Sequence, residues 1–382
     1  MLAMDYRGPM RVRVTQKAMP TIQHPQDAIV RVTRSCICGS DIHLYCGMVP
    51  DTRVGMTFGH EFTGIVEEVG SEVRNLKTGD HVLVPFNIAC GRCHFCKQGL
   101  FGNCHEANPQ ATAVGGIFGY SHTAGGYDGG QAQYVRVPYA DVGPTVIPDW
   151  MDPDDAVLLT DVVPTGYQAA EMGSIQPGDT VVVFGAGPVG LLAAKSAWLF
   201  GASRVIVLDH LDYRLEFAAR FANAEVYNFL SMDDPVVFLK KTTDSLGADV
   251  CIDAVGADAS GNPLHTLLGK KLKLEAGSAV ALHWAINSVK KGGVVSIVGV
   301  YGPTGNMIPI GNVVNKGITI RANQASVKRL LPRLIEHVKE GRLNPKEIIT
   351  HRLPLEEVSE GYRIFTSKLD GCIKPVLYPN AA

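Results

Sequence analysis

Hydrophobic and polar residues alternate in short runs from residue 1 to about residue 160, and glycines and prolines separate the runs. An alternation with a period of two is typical of strands that bury one face. The clearest of these predicted strands are 28–33, 64–69 and 81–84. Many short strands at this spacing favour a distorted barrel or sandwich whose loops carry the chemistry.

From about residue 163 the pattern changes to buried strands that alternate with helices, which predicts a parallel sheet. The predicted strands are 180–184, 204–208, 225–229, 248–253, 294–298 and 318–321. They fit a six-stranded, doubly wound α/β sheet. After an amphipathic helix at 327–340, residues 373–377 are predicted to form a strand that rejoins the first domain. We therefore expect one domain from 1–162 and 322–382 and a second from 163–321.

Composition excludes several classes of protein. The chain has 382 residues, is 46% hydrophobic and 19% charged, and carries a formal net charge of -2, with no block of like charge for a nucleic-acid partner. No apolar run reaches the length of a membrane span, and Asp5, Arg7, Arg11 and Arg13 interrupt any signal peptide. Nine cysteines without an export signal indicate thiols and metal sites, with the reducing cytoplasm as the default location.

The first strand of the second domain runs directly into a glycine-rich turn. Gly185, Gly187 and Gly190 form a GxGxxG motif between strand 180–184 and an apolar helix at 191–200, and Asp209 ends the next strand. In that context the motif predicts a Rossmann dinucleotide site, with the pyrophosphate at the helix N-terminus. Asp209 would accept hydrogen bonds from the ribose and repel a 2′-phosphate, which favours NAD over NADP; a helix cap is the alternative role.

The return between the fourth and fifth predicted strands of this sheet is about twenty residues longer than a helical crossover needs. Its second half, 279–289, places Leu282, Ile286 and Val289 on one helical face, and His283 and Trp284 are expected to pack. Its first half, 257–277, is polar and rich in glycine and lysine. We expect an inserted surface loop near the cofactor there, with disorder as the alternative.

Four cysteines lie close together in the first domain. Cys90, Cys93, Cys96 and Cys104 have the spacing C-x2-C-x2-C-x7-C. Four thiolates complete a tetrahedron and leave no open position, which indicates a structural zinc. An iron–sulfur cluster is the chemical alternative, although the lobe lacks the Cys-Pro ending of bacterial ferredoxins. A zinc ribbon that binds nucleic acid is disfavoured because no basic stripe accompanies the cysteines.

A second candidate metal site lies between residues 36 and 61, where thiol, imidazole and carboxylate groups gather. Cys38 and His60 are suitable ligands for zinc. A catalytic zinc takes three protein ligands and leaves the fourth position open, so a third ligand must come from elsewhere in the chain. A packed or redox-inert cysteine and histidine is the alternative interpretation.

Together these motifs resemble the zinc-dependent medium-chain alcohol dehydrogenases. The likeness covers essentially the whole chain, because Gly59-His60-Glu61, the cysteine lobe and GxGxxG follow the order and spacing of the family. Segments 84–93, 129–134 and 161–167 and the insert after Gly256 look closest to the glutathione-independent formaldehyde dehydrogenase group. The resemblance implies a mostly β, GroES-like catalytic domain beside the Rossmann domain. It also implies that the insert covers the adenine end of a tightly held NAD.

The resemblance also implies a second zinc, with a catalytic role, on Cys38, His60 and Asp161. Many relatives have a second cysteine at the third position, but an aspartate there matches the formaldehyde group and some secondary alcohol dehydrogenases. Without the resemblance, Asp161 would be interpreted as a helix cap or a surface acid. Asp41 is expected to orient His60, and Glu61 to lie behind the zinc.

For the reaction, the resemblance implies that hydride passes between the substrate carbon and NAD. The proton leaves through Ser40 and the nicotinamide ribose to His43 and solvent. Phe86 matches a wall of the substrate pocket, and Gly39 stands where relatives carry a cation for the pyrophosphate. The further positions matched to cofactor contacts are Thr165, Pro188, Val189, Arg214, Val298, Val300 and Lys374.

Two classes of function are compatible with these residues. The first is a zinc and NAD enzyme that acts on a small molecule. As its substrate, formaldehyde or another small aldehyde, converted by oxidation or by dismutation, ranks ahead of a primary or aromatic alcohol. The second is a non-catalytic NAD-binding module, which would require an eroded catalytic site, whereas every ligand and relay position is filled. A homotetramer is expected from the resemblance alone.

Overall fold

The computed structural model describes residues 1–256, 279–301 and 308–380. The chain divides into two compact units: unit 1 comprises Met1–Pro164 and Ala325–Ala382, and unit 2 comprises Thr165–Gln324. The boundaries expected from the sequence, 162/163 and 321/322, lie two and three residues earlier. The predicted insert at 257–277 falls outside the described residues.

Unit 1 is built around a mixed, mostly antiparallel sheet with a long central strand, in which, among the described strands, only Ile349–Pro354 and Lys374–Tyr378 pair in parallel. Its strands are β1 (Leu2–Tyr6), β2 (Val12–Gln16), β3 (Ala28–Cys36), β4 (Phe62–Val69), β5 (His81–Val84), β6 (Asn87–Ile88), β7 (Gly116–Ile117), β8 (Tyr134–Val137), β9 (Thr145–Val146), and, from the C-terminal segment, β16 (Ile349–Pro354) and β17 (Lys374–Tyr378). The main sheet has the order β16-β17-β3-β4-β5-β9, and β8 also pairs with β3.

The central strand β3 links the candidate site to both ends of the chain. It pairs antiparallel with β4 along most of its length and with β17 through Ser35 and Cys36. The strand predicted at 373–377 therefore does rejoin the first domain, one residue later than expected. Alternate residues of β3, including Ala28, Val30 and Val32, are fully buried, as the period of two predicts.

Unit 2 contains a parallel sheet whose strands all match predicted segments. These are β10 (Thr180–Phe184), β11 (Arg204–Asp209), β12 (Glu225–Asn228), β13 (Ala248–Asp253), β14 (Val289–Ile297) and β15 (Thr319–Ala322). Their order is β12-β11-β10-β13-β14-β15, which is that of a doubly wound sheet with its reversal between β10 and β13. β14 begins five residues earlier than predicted, and its pairing with β13 contains a register shift.

Helices alternate with the strands in both units, and several of them, such as those at 188–199 and 212–222, pack on the sheets. They are α1 (Gly39–Tyr45), α2 (His94–Lys97), α3 (Pro153–Leu158), α4 (Val162–Gly173), α5 (Pro188–Leu199), α6 (Asp212–Ala222), α7 (Pro235–Thr242), α8 (Val280–Ser288), α9 (Ile310–Lys316), α10 (Val327–Lys339) and α11 (Val358–Thr366). The predicted packing of Trp284 is confirmed, since its ring lies 6.4 Å from Phe184 and 5.1 Å from Phe229. Within the described ranges, no helix has the length and apolarity needed to cross a bilayer.

Candidate metal centres and dinucleotide site

The short helix α1 presents the first group of site residues. The alternating pattern predicts strands joined by loops in this part of the chain, but the chain turns into a helix directly after Cys38. Asp41, three residues later, accepts a hydrogen bond of 2.9 Å from the Cys38 backbone N–H, as the acid of a capping box does. That acid at the third position is the signal from which the helix could have been predicted. The hydrogen bond between the two residues fixes both Cys38 and Asp41 at the start of α1.

His60 is delivered by a tight turn that leads into β4. Gly59 has φ +98°, a left-handed conformation that favours glycine. A Cβ atom at this position would lie 2.5 Å from Cγ of Gln131 and 2.8 Å from its backbone nitrogen. The glycine before His60 is therefore required both by the backbone conformation and by the close approach of residue 131.

Asp161, at the start of α4, completes the first cluster. Its Oδ2 lies 3.2 Å from Nε2 of His60 and 3.9 Å from Sγ of Cys38. Together with Glu61, these residues each offer one ligand atom, and the four atoms lie within 4.8 Å of one another. The structure thus brings Asp161 to Cys38 and His60, although 123 and 101 residues separate it from them in the chain.

The electrostatics of this cluster suit a divalent cation. Burial raises the pKa of the Cys38 thiol. Burial alone would lower the pKa of His60, but Asp41 and Asp161 raise it well above its ordinary value. Acidic ligands therefore surround one buried imidazole, and a cation that binds thiolate, imidazole and carboxylate together would compensate their charge. Zinc accepts all three donor types, so the donor set fits it.

The structure gives Lys374 a partner that the sequence did not indicate, while its predicted contact with the cofactor stays a prediction. Its side chain is fully buried, and its Nζ lies 2.6 Å from Oε1 of Glu61. Glu61 is also fully buried, and its charge raises the pKa of Lys374 against the effect of burial. The ammonium group is thus held inside unit 1 as the counter-ion of Glu61, whose carboxylate reaches the metal-ligand cluster.

The residues expected in the reaction lie beside the cluster. Ser40 and His43 are three positions apart on α1, a spacing that places them on the same helical face; Ser40 is half-buried and His43 buried. The rings of Phe86 and His60 meet edge to face, with their centroids 6.1 Å apart and their planes at 69°. An apolar ring beside the imidazole is compatible with the predicted pocket wall.

The four cysteines of the lobe also converge. Their sulfur atoms lie within 4.8 Å of one another. Burial alone would raise the pKa of Cys93, but backbone N–H groups of Cys96 and His105 help to lower it to about 6. Burial raises the pKa of Cys96 and Cys104. Four sulfurs at this separation match a closed tetrahedral site such as structural zinc.

The glycine-rich turn in unit 2 has the geometry that a pyrophosphate needs. Gly185 follows β10 with φ +94°, and α5 begins at Pro188 with Gly187 as its N-cap. A Cβ on Gly190 would lie 1.8 Å from the carbonyl oxygen of Gly185, so any side chain there would force the turn open. The first N–H groups of α5 lack intrahelical partners and can bind phosphate oxygens.

Asp209 ties the end of β11 to that turn. Its Oδ2 accepts a hydrogen bond of 2.7 Å from the backbone N–H of Ala186, and its Oδ1 accepts from those of His210 and Leu211 at 2.7 and 3.0 Å. A carboxylate has about four acceptor positions, so capacity for a ribose hydroxyl remains. The N-cap of α6 is Leu211, so the helix-cap alternative for Asp209 is wrong, and the ribose role stays a prediction.

The other predicted cofactor residues of unit 2 lie at the start of α5, on helices α6 and α4, and just after β14. Pro188 and Val189 begin α5, and Arg214 lies in the first turn of α6, with a guanidinium nitrogen 3.7 Å from where a Cβ on Gly187 would be. Val298 and Val300 follow β14, and the N–H of Val298 donates to the Asp253 carbonyl at 3.0 Å. Thr165 lies on α4. In doubly wound sheets, ligands bind at this carboxyl edge.

Comparison with known proteins is consistent with this geometry. The model of the alcohol dehydrogenase GroES-like domain matches residues 24–149, and that of the zinc-binding dehydrogenase domain matches residues 188–274. The predicted combination of a GroES-like and a Rossmann domain is thereby confirmed.

Relatives and solved structures match over most or nearly all of the chain. A zinc-type alcohol dehydrogenase-like protein of Bacillus subtilis (strain 168) is 44% identical over 99% of this chain and 100% of its own length. The glutathione-independent formaldehyde dehydrogenase of Pseudomonas aeruginosa (strain LESB58) is 37% identical over 78% of this chain and 74% of its own. The alcohol dehydrogenase TADH of Thermus sp. ATN1 superimposes with a TM-score of 0.86 at 35% identity, covering 99% of both chains. The chain belongs to the zinc-dependent medium-chain alcohol dehydrogenase family and is an oxidoreductase of that type.

Proposed function

We propose that this protein transfers hydride between a small alcohol or aldehyde and NAD, at the cluster of Cys38, His60 and Asp161. The observation that carries the proposal is the convergence of a thiol, an imidazole and a carboxylate within 4.8 Å. Such a set provides three ligands and leaves a position for substrate, which is the arrangement of catalytic zinc. The family supports oxidoreductase chemistry at this set.

Cys38, His60 and Asp161 would hold the zinc, which supplies Lewis acidity toward the substrate oxygen when bound. Asp41 lies on the opposite side of the imidazole, with its Oδ1 3.4 Å from Nδ1 of His60, so Nε2 faces the other ligands. Glu61 is the fourth residue of the cluster and its second carboxylate, and Lys374 neutralises it.

Ser40 and His43 would move the proton that the substrate hydroxyl loses. The Ser40 hydroxyl can both accept and donate a proton, so it can relay one without carrying charge for long. An imidazole titrates near neutral pH and can hold the proton before it reaches solvent. Phe86 would limit the volume beside the reacting carbon and exclude water from it.

Unit 2 would hold the NAD. The turn at Gly185, Gly187 and Gly190 would bind the pyrophosphate, and Asp209 would accept hydrogen bonds from the adenosine ribose. The carboxylate repels a 2′-phosphate, which supports NAD as the preferred cofactor. Arg214 stands near the same turn and would contribute positive charge to the ribose end.

The lobe of four cysteines would hold a second zinc with a structural role, which gives two zinc ions per chain. Its sulfurs converge as a closed set, so no position remains for substrate. The number of zinc ions per chain distinguishes the proposed enzyme from the alternative NAD-binding module, because a module that kept the lobe and lost the catalytic site would hold one zinc.

For the substrate, we propose formaldehyde or another small aldehyde, with dismutation by retained NAD. The likeness to the formaldehyde dehydrogenase of Pseudomonas aeruginosa supports this class. A primary or aromatic alcohol is the second candidate, since the likeness to the Thermus alcohol dehydrogenase extends over more of the chain. The protein as purified should first be tested for bound NAD, and then with an aldehyde and alcohol panel without added cofactor. Turnover of aldehyde alone supports dismutation, and turnover that requires added NAD favours the alcohol class.

The metal assignment is tested with Cys38→Ser against Cys46→Ser, which alters a half-buried cysteine outside both metal-ligand clusters. We expect the first variant to lose one zinc equivalent and all turnover while it still binds NAD. The control should keep two zinc equivalents and normal turnover. Normal zinc content and turnover in Cys38→Ser would overturn the assignment.

A further inference from the structure

A chain of buried polar groups runs from the C-terminal helix α11 to the candidate zinc ligand His60. Tyr362, on α11, donates its hydroxyl proton to Oε1 of Gln131 across 2.9 Å. Nε2 of Gln131 donates to Oδ2 of Asp41 across 3.2 Å, and Oδ1 of Asp41 lies 3.4 Å from Nδ1 of His60. These side chains are 0% exposed, apart from His60 at 2%. No sequence motif connects the four positions.

The donor and acceptor chemistry of these four side chains fixes the direction of each hydrogen bond between them. Gln131 faces two groups that can only accept, the Cys36 carbonyl at 2.9 Å and the Asp41 carboxylate, so its NH₂ must point toward them. Its oxygen is then left for the hydroxyl of Tyr362, which is a donor at neutral pH. The amide orientation thus follows from the groups around it.

Asp41 is held in turn by two donors on the same oxygen. Its Oδ2 accepts from Gln131 and from the backbone N–H of Cys38. Within the described residues, neither Oδ1 of Asp41 nor Nδ1 of His60 has a hydrogen-bond partner of standard geometry. The two atoms face each other, and a small movement on metal binding would bring them into a hydrogen bond. That bond would place the imidazole proton on Nδ1 and leave Nε2 free as a ligand.

Gln131 also supports the backbone from which His60 projects. Its N–H donates to the Phe58 carbonyl at 3.1 Å, and the N–H of Gly130 donates to the Gly59 carbonyl at 2.6 Å. Tyr362 is fixed at the other end by packing, with its ring 5.0 Å from that of Tyr45. This series of hydrogen bonds therefore joins helix α11 to both the backbone and the side chain of His60.

We propose that Gln131 and Tyr362 are positioning residues for the zinc site, which act on His60 through Asp41 and couple α11 to the metal. This inference rests on the proposed catalytic zinc. Outer-shell partners of metal ligands typically change metal affinity by about 10–100-fold when they are removed. Loss of the Tyr362 hydroxyl releases Gln131, loosens Asp41 and so weakens the hold on the Nδ1 side of the imidazole.

The test compares Tyr362→Phe and Gln131→Leu with the wild-type protein and with Tyr6→Phe. The control removes a hydroxyl from the same buried hydrophobic cluster, where Tyr6 is 3% exposed. Zinc release to a colorimetric chelator is followed over time, and the cobalt-substituted proteins are examined by visible absorption. The cysteine-lobe metal provides an internal reference in every protein.

We expect one metal equivalent to leave about 10-fold faster in Tyr362→Phe and up to about 100-fold faster in Gln131→Leu. The cobalt bands of that equivalent should shift in both variants. The metal of the cysteine lobe should leave at the wild-type rate in every protein, and Tyr6→Phe should match wild type throughout. Wild-type release and spectra in Tyr362→Phe, which removes one atom, would overturn the inference even if Gln131→Leu misfolds. The proposed function fails separately, if the wild-type protein holds no metal that depends on Cys38.

Discussion

Replacing Lys374 with methionine distinguishes an internal ion pair from a cofactor contact. Lys374 and Glu61 are both fully buried, and their charged atoms are 2.6 Å apart. Within the described residues, the other carboxylate oxygen of Glu61 has no hydrogen-bond partner. The methionine variant therefore leaves a buried carboxylate without its counter-ion.

The expected loss can be estimated in two ways. Removing one partner of a buried ion pair typically costs about 3–5 kcal/mol. Coulomb's law gives the same order of magnitude, about 6 kcal/mol at the 2.6 Å separation for an effective dielectric constant of about 20, before the cost of desolvation is subtracted. We therefore expect the free energy of unfolding of the zinc-loaded protein to fall by about 3–5 kcal/mol in Lys374→Met.

Two measurements report this loss: urea unfolding monitored by circular dichroism, and hydrogen exchange of the amides in β3 and β17. Calorimetric titration measures the affinity for NAD. Lys346→Met is the control, because Lys346 forms an exposed pair with Asp152 and its loss should cost less than about 1 kcal/mol. The double variant Glu61→Gln, Lys374→Met should regain most of the stability. If Lys374→Met keeps the stability of the wild type but binds NAD at least tenfold more weakly, the ion-pair role is refuted and the predicted contact with the cofactor is supported.

Three further predictions concern the cofactor turn and the cysteine lobe. Gly190→Ala places a methyl 1.8 Å from the Gly185 carbonyl oxygen and should abolish the NAD binding that calorimetry measures. Gly311→Ala, where the new methyl meets open space, should leave NAD binding unchanged, and equal affinities of the two variants would contradict the role of the turn. Asp209→Ser should raise the ratio of kcat/KM for NADP to that for NAD by about tenfold or more, and a constant ratio would refute the ribose role. Cys93→Ala should lower the zinc content from two to one per chain and reduce Tm, since a structural zinc contributes folding energy; two retained zinc ions would exclude the lobe as a metal site.

Features encoded by neighbouring residues could be predicted from the sequence. The cysteine lobe spans 15 residues and GxGxxG follows its strand directly, so spacing alone indicated both sites. The six strands of unit 2 could be predicted because most are short apolar runs bounded by turns, and the more polar edge strands β12 and β15 follow the same alternation of strand and helix. Helix α1 was not, because a cysteine N-cap is not one of the usual signals, even though Asp41 follows at the capping-box position.

Contacts between distant residues required the structure or the resemblance. Asp161 approaches Cys38 across 123 residues, and Lys374 approaches Glu61 across 313. No local pattern encodes such a pairing, because it depends on how β17 and the start of α4 are placed by the sheet. Gln131 and Tyr362 belong to the same class, since a glutamine and a tyrosine carry no motif until the fold brings them to one aspartate.

The direct test of the central proposal is a crystal structure of the purified protein with anomalous diffraction measured on both sides of the zinc absorption edge. We predict one zinc peak among the four cysteines and a second between Cys38, His60 and Asp161. The second should lie about 2.3 Å from the sulfur and about 2.0–2.2 Å from the nitrogen and oxygen ligands. A zinc peak in the lobe with none at Cys38, in protein that turns over substrate, would contradict it.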